Sequence, residues 1–123
     1  MPQAMRGAAH VLAVPDAGVT ARWWVEVMGF EIAGEPDGWV FVRSGEVTIM
    51  LGSCPDAIHP RDLGDHQYFG YLEVADVDAW FEAVSGRGAD ILFPPADRPW
   101  GMREFAVRTP DGHRFMVAAA LAG

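Results

Sequence analysis

The chain has little of what several classes of protein require. Its 123 residues include a single cysteine, Cys54, so no disulfide bond can form within the chain. No apolar run approaches the roughly 20 residues that a membrane-spanning helix needs. Residues 1–9 also lack the long apolar stretch of a secretory signal. We therefore expect a protein of the reducing cytoplasm that has no membrane partner.

Positive charge is also scarce. Nine Lys and Arg residues stand against seventeen Asp and Glu residues, which gives a formal net charge of −8. The phosphates of a nucleic acid repel such a surface, so we expect no nucleic-acid partner. The same charge would attract a cationic small molecule, although an acidic surface also serves to keep a protein in solution. Half of the residues are apolar, which is enough for the core of one domain.

The first half of the chain has the pattern of a strand, a helix and three more strands. The strands are predicted at 10–14, 30–33, 39–42 and 47–51. Asp16 is the predicted N-cap of the helix, along which apolar residues recur at helical spacing until Gly29.

The second half repeats this order. Asp76 is again a predicted N-cap, and strands are predicted at 69–74, 91–93, 103–108 and 114–119. One βαβββ module is therefore present twice in a single domain, 1–123. The predicted limits are about 8–52 for the first module, 53–67 for the linker and about 68–120 for the second module.

Neither module can bury both faces of its own sheet. We therefore predict an α+β fold in which the two modules pair sheet against sheet, with the helices outside and a cleft on the inside.

Three segments resemble one known family. The strings PWGMREF at 99–105 and PDGH at 110–113, together with HVLAVPD at 10–16, are similar to those of the bleomycin resistance branch of the vicinal oxygen chelate, or glyoxalase/bleomycin resistance/dioxygenase, superfamily. The resemblance covers roughly residues 8–120. It implies the glyoxalase/bleomycin resistance fold, which is built from paired βαβββ modules.

Enzymes of that superfamily hold a divalent metal with four inward side chains, mostly His and Glu. The resemblance maps these four positions onto Ala9, Met50, Phe69 and Met116. Methyl, thioether and phenyl groups are poor ligands for such an ion. We therefore expect no metal and no cofactor.

His10 lies next to the first of these positions. It shares strand parity with Leu12 and Val14, so we expect its side chain to point under the helix rather than into the cleft. A one-residue slip or a bulge would turn it inward.

The resemblance also implies a homodimer with two clefts, each built from both chains. In the bleomycin resistance branch, a flat part of the drug lies between two aromatic rings, and the matching positions here are Trp39 and Trp100. Indole faces suit a flat or cationic ligand. Phe41 shares the parity of Trp39 and would extend the wall. Ordinary packing on the sheet is the alternative role for Trp39.

Strand parity also turns two carboxylates, Glu73 and Glu104, toward the cleft. An inward carboxylate is costly unless it meets a cation or hydrogen-bond donors. Arg103 or Arg108 would pair with Glu104; otherwise Glu104 would bind a positive group of the ligand.

The function predicted from the sequence is metal-free binding and sequestration of a flat, cationic aromatic molecule, such as a bleomycin-type antibiotic, with no catalytic residue. The expected ligand-binding residues are Trp39, Phe41, Met50, Phe69, Trp100, Met102, Glu104 and Met116. The methionines among them would give the cleft a soft, adaptable lining.

Two enzymatic alternatives stay open at this point. A metal-dependent lyase, isomerase or dioxygenase of the glyoxalase type would need His10 to converge with a carboxylate such as Glu46, Glu73 or Glu104. A metal-free enzyme would use Glu104 or Arg103 on a small substrate.

Overall fold

The computed structural model describes residues 2–64 and 67–122, so positions 65 and 66 of the predicted linker lie outside the described residues. The elements are β1 His10–Val14, α1 Ala17–Glu26, β2 Glu31–Gly34, β3 Trp39–Ser44, β4 Val47–Ser53, a 3₁₀ helix Pro60–Leu63, β5 Tyr68–Glu73, α2 Val77–Gly86, β6 Asp90–Asp97, β7 Met102–Arg108 and β8 Arg114–Ala120.

These elements form two four-stranded sheets of identical topology. The N-terminal sheet has the order β1-β4-β3-β2, and the C-terminal sheet has the order β5-β8-β7-β6. In each sheet the first strand pairs parallel with the last, and the other pairs are antiparallel. The α+β class and the two βαβββ modules predicted from the sequence are confirmed.

Both helices begin where the sequence predicts. The side chain of Asp16 accepts a hydrogen bond from the backbone N–H of Val19 at 3.2 Å, and Asp76 accepts one from Ala79 at 3.0 Å. Each aspartate satisfies one of the amide groups that a helix start leaves without an intrahelical partner. None of the helices in the described part of the chain has the length and hydropathy to span a bilayer.

The two modules share one core. Trp24 of α1 is fully buried. Its ring stacks on Phe115 of β8, with centroids 5.1 Å apart and an interplanar angle of 29°. At the end of α2, Arg87 donates a hydrogen bond to the carbonyl of Val27 at 3.1 Å. The two modules of one chain therefore meet on the helix-bearing sides of their sheets, whereas the sequence predicts the helices outside and the sheets paired around a cleft.

The opposite face of each sheet is not covered by the other module. We call these the open faces. Strand register assigns Val11, Ala13, Trp39, Phe41, Met50 and Gly52 to the open face of the N-terminal sheet. It assigns Tyr71, Glu73, Met102, Glu104, Met116 and Ala118 to that of the C-terminal sheet. The solvent-exposed fraction reaches 61% at Val11 and 42% at Tyr71.

Candidate functional site

Trp39 lies on the open face of the N-terminal sheet, at the start of β3. It lies directly across from Gly52, and its neighbour on the same face, Phe41, lies across from Met50. The Trp39 and Phe41 ring centroids are 6.3 Å apart. A Cβ added to Gly52 would come within 2.9 Å of the indole, so the ring rests directly on the backbone there. The structure thus brings Trp39, Phe41 and Met50 together.

Met102, Glu104 and Met116 share the open face of the C-terminal sheet. Met116 lies between Tyr71 of β5 and Ala106 of β7. The two methionines are half-buried, whereas Glu104 is only 2% exposed. Three of the predicted ligand-binding residues therefore lie on this one surface.

Glu104 is neutralised from within the chain. The hydroxyl of Tyr71 donates a hydrogen bond to its Oε2 at 2.6 Å, and Nε of Arg98 donates one to its Oε1 at 3.0 Å. Bonds of this kind, in which one or both partners are charged, are roughly twice as strong as neutral ones. The carboxylate therefore has a cationic partner without any ligand.

The prediction that Arg103 or Arg108 pairs with Glu104 is wrong. Because successive strand residues face opposite sides, Arg103 projects away from Glu104. It forms salt bridges with Asp78 and Asp97. Arg108 instead lies 3.2 Å from a carboxylate oxygen of Asp90.

Tyr71, the second partner of Glu104, keeps its hydroxyl proton. Burial raises the pKa of Tyr71 above its ordinary value of 10.0, and the hydrogen bond to Glu104 raises it further. The indole N–H of Trp100 acts to lower the pKa of the same hydroxyl, without reversing the rise. Tyr71 therefore stays neutral and remains a donor to Glu104 at physiological pH.

Trp100 projects from the turn between β6 and β7 and is 65% exposed. The N–H of Arg98 donates to the carbonyl of Met102 at 2.7 Å, and the N–H of Gly101 donates to the carbonyl of Arg98 at 3.1 Å. Gly101 has a φ of +86°, a conformation that strongly favours glycine. The Arg98 guanidinium also lies over the ring of Phe93, 4.9 Å from its centroid.

Phe69 does not lie on an open face, so its predicted place in the cleft is wrong. The pairing of β5 with β8 shifts register between Tyr68 and Gly70, which turns Phe69 toward the core. Its ring packs against Trp24 and Phe115, with centroids 6.3 and 5.5 Å away. No pattern in the sequence marks this irregularity.

The residues at the mapped metal positions do not fit a divalent ion. Met50 and Met116 offer only thioethers on separate sheets, and Phe69 is in the core. His10 lies beside the Phe69 ring, with centroids 5.8 Å apart. Ions of this kind need several nitrogen or oxygen donors at one point.

The metal ligands of the enzymatic alternative, His10 with a carboxylate, do not come together either. His10, Glu46 and Glu73 line a common cavity of about 540 Å³ near the start of β1. Within the described residues, however, no three His, Cys, Asp or Glu side chains come together as a set that could hold a metal. Glu104 is engaged by Arg98 and Tyr71.

Comparison with known proteins agrees with this architecture. Residues 7–117 match the family model of the glyoxalase/bleomycin resistance protein/dioxygenase superfamily. An uncharacterized protein of Mycobacterium tuberculosis is 29% identical over 118 residues, a match that covers 86% of this chain and 69% of that protein.

Two solved structures are similar over almost the whole chain. TioX from Micromonospora is 28% identical with a TM-score of 0.72, and the match covers 94% of this chain and 100% of TioX. A bleomycin-binding protein from bleomycin-producing Streptomyces verticillus, solved with copper(II)-bleomycin, is 24% identical with a TM-score of 0.74. That match covers 99% of this chain and 100% of the other. The chain belongs to the glyoxalase/bleomycin resistance protein/dioxygenase superfamily.

Proposed function

We propose that this protein binds and sequesters a flat, cationic aromatic molecule in the cytoplasm, without a metal and without breaking a bond. The ligand lies between Trp39 and Trp100 in a cleft that two copies of the chain complete. The likeness to the bleomycin-binding protein of Streptomyces verticillus makes a bleomycin-type antibiotic the first ligand to test.

The exposure of the two tryptophans carries the proposal. Trp39 is 37% exposed and Trp100 is 65% exposed, although large aromatic side chains are ordinarily buried. The indole of Trp39 rests against Gly52 on one side, which leaves its other side for a ligand. Stacking on two rigid indoles stabilises a flat ligand through dispersion and apolar burial.

A single chain does not bring the two tryptophans together. Trp39 belongs to β3 of the N-terminal sheet, and Trp100 to the turn between β6 and β7 of the C-terminal sheet. Those sheets share a core through their helix-bearing faces, with Trp24 stacked on Phe115. A second chain would lay the open face of one sheet over the open face of the other. A twofold-symmetric dimer would contain two such clefts.

Charge favours a cationic ligand, although not through Glu104. Arg98 already neutralises that carboxylate. Glu73 is exposed on the same open face and is the carboxylate that remains available to a positive group. The net charge of −8 adds a longer-range attraction that weakens with ionic strength.

The arrangement also argues against catalysis by Glu104. A general base must come within hydrogen-bond reach of the substrate proton, so it has to be accessible to the substrate. Glu104 is 2% exposed and holds Tyr71 and Arg98 on its two oxygens. Arg103, the other residue of the metal-free alternative, is paired with two aspartates.

Titration with bleomycin, followed by tryptophan fluorescence, tests the proposal. We expect saturable quenching in the wild type. Trp39→Ala and Trp100→Ala should each weaken binding by roughly tenfold, because each removes one stacking face. Trp80→Phe is the matched control, since Trp80 lies on helix α2 and not on a strand or turn that carries the proposed ligand-binding residues. Absence of quenching by the folded wild-type protein at high micromolar bleomycin would remove this ligand class.

A further inference from the structure

Glu104 is an unusual residue for a ligand-binding surface. Its side chain is only 3% exposed on a face where the neighbouring Tyr71 is 42% exposed. A buried carboxylate is costly unless both of its oxygens are satisfied. In this structure both oxygens accept a hydrogen bond, one from Arg98 and one from Tyr71.

The first connection runs through Arg98. Its side chain donates to Glu104, and its own backbone forms the base of the turn that carries Trp100. The Arg98 side chain is 32% exposed, and its guanidinium lies over Phe93, so it is held between an aromatic ring and the buried carboxylate. Glu104 thereby fixes the first residue of the turn.

The second connection runs through Tyr71, which lies on the parallel edge strand β5. Its hydroxyl donates to the other oxygen of Glu104 at 2.6 Å, and the indole N–H of Trp100 acts to lower the pKa of that hydroxyl. Trp100 is 65% exposed, more than Tyr71 or Trp39. An indole on a four-residue turn would sample many orientations without such support.

We infer that Glu104 is a positioning residue that holds Trp100 ready for stacking, through Arg98 at the base of the turn, with Tyr71 fixing the other oxygen of the carboxylate. In this role Glu104 orients the ring that stacks on the ligand and does not itself contact the ligand. The expected effect on ligand affinity rests on the proposed function, whereas the orientation of Trp100 does not. Preorganisation of this kind raises affinity because the ring's rotational freedom is lost before the ligand arrives.

The orientation of Trp100 can be measured without any ligand. The chain has five tryptophans, so protein labelled with 5-fluorotryptophan should give five fluorine NMR signals, and Trp100→Phe assigns one of them. In Glu104→Gln and in Tyr71→Phe we expect the Trp100 signal to move and sharpen toward that of a freely rotating indole. The signal of Trp24, which is fully buried, should stay in place and reports that the fold is intact.

Two further variants separate the positioning role of Glu104 from misfolding and from a change in net charge. Tyr71→Phe keeps the Glu104–Arg98 pair and removes one hydroxyl, so it tests the inference even if Glu104→Gln folds poorly. Glu82→Gln changes the net charge by the same amount at an exposed position of α2, and it should leave the Trp100 signal unchanged. An unmoved Trp100 signal in both Glu104→Gln and Tyr71→Phe would overturn the inference.

Affinity is the second measurement. Bleomycin binding should weaken by about fivefold in Glu104→Gln, the scale expected for ordering one side chain on binding. A wild-type protein that does not bind bleomycin would count against the proposed function, while the fluorine signals would still decide whether Glu104 positions Trp100. Unchanged affinity in Glu104→Gln, together with a displaced Trp100 signal, would contradict the preorganisation of the ring.

Discussion

Gly52 leaves the space that Trp39 occupies. The two residues are paired directly across β3 and β4, and three atoms of the indole lie within 3.2 Å of the position where a Cβ would stand. The contact is therefore with the far end of a side chain that can rotate away, not with rigid backbone. A side chain at position 52 would cost little stability but would change the direction in which the indole faces.

Gly52→Ala should accordingly weaken bleomycin binding by about fivefold, because the displaced ring must be reordered by the ligand. The melting temperature should fall by at most a few degrees. Calorimetric titration and thermal unfolding measure the two effects separately. Gly86→Ala is the matched control, since nothing lies within 4 Å of a Cβ there. Equal affinities for Gly52→Ala and the wild type would mean that Trp39 does not form the ligand surface.

His113 provides a prediction about acid stability. Burial lowers its pKa below the ordinary value of 6.5, His59 lowers it further, and Asp111 opposes both. Its Nδ1 is buried and has no hydrogen-bond partner among the described residues. The folded protein therefore binds a proton at this site less readily than the unfolded chain does.

This contribution to stability is present above a pH of about 6.5 and is lost as the pH falls below it. Between a pH of about 7.5 and about 5.5, we expect the melting temperature of the wild type to fall more than that of His113→Asn. The wild type and His113→Asn share all their other titrating groups. The difference between their slopes of melting temperature against pH therefore measures the contribution of His113. Parallel slopes would show that this histidine does not limit acid stability.

Strand parity predicts part of the open faces. It assigns Phe41 to the face of Trp39, whereas Met50 comes from the family resemblance, and the structure brings the three together. It fails at Phe69, because a register shift between two strands leaves no mark in the sequence of either one. It also misses Arg98, because a turn residue has no strand parity from which to infer its direction.

At the scale of the element, the helix starts are the most predictable features. Asp16 and Asp76 are followed by apolar residues at helical spacing, and both accept the expected backbone hydrogen bond. The short polar side chain of the aspartate marks the point at which the preceding strand ends and the helix begins. Caps of this kind are local, so they are encoded within four residues.

Replacing either cap should lower the free energy of unfolding. We expect a loss of about 1 kcal/mol for Asp16→Ala and a similar loss for Asp76→Ala. Asp16→Asn and Asp76→Asn should retain most of the stability, because the amide oxygen can accept the same bond. Urea denaturation gives these values. An Asn variant as unstable as its Ala counterpart would contradict capping as the cause.

β6 is longer than its sequence predicts. The pattern predicts a strand at 91–93 that ends before Pro94 and Pro95, whereas the strand runs over Asp90–Asp97. Its pairing with β7 shifts register on both sides of Phe93. β6 is the edge strand of its sheet, where a proline need not donate to a neighbour. The position of a strand in its sheet therefore decides whether proline ends it.

At the scale of the whole molecule, the repeat makes the fold predictable. Two βαβββ modules with equivalent caps must form equivalent sheets, and both sheets have the same strand order. The composition of the cleft is harder to predict, since it depends on which open faces meet. Within one chain the modules meet through Trp24 and Phe115, on the helix-bearing side. The proposed cleft therefore requires two chains.

Complementation between two inactive variants tests this account most directly. Trp39→Ala and Trp100→Ala should each bind bleomycin poorly as separate proteins. When the two are unfolded together and refolded as a mixture, random pairing should restore about one site in four to wild-type affinity, because mixed dimers contain one cleft with both indoles. A mixture that binds no better than its components, while the wild type binds fully, would contradict a cleft shared between two chains.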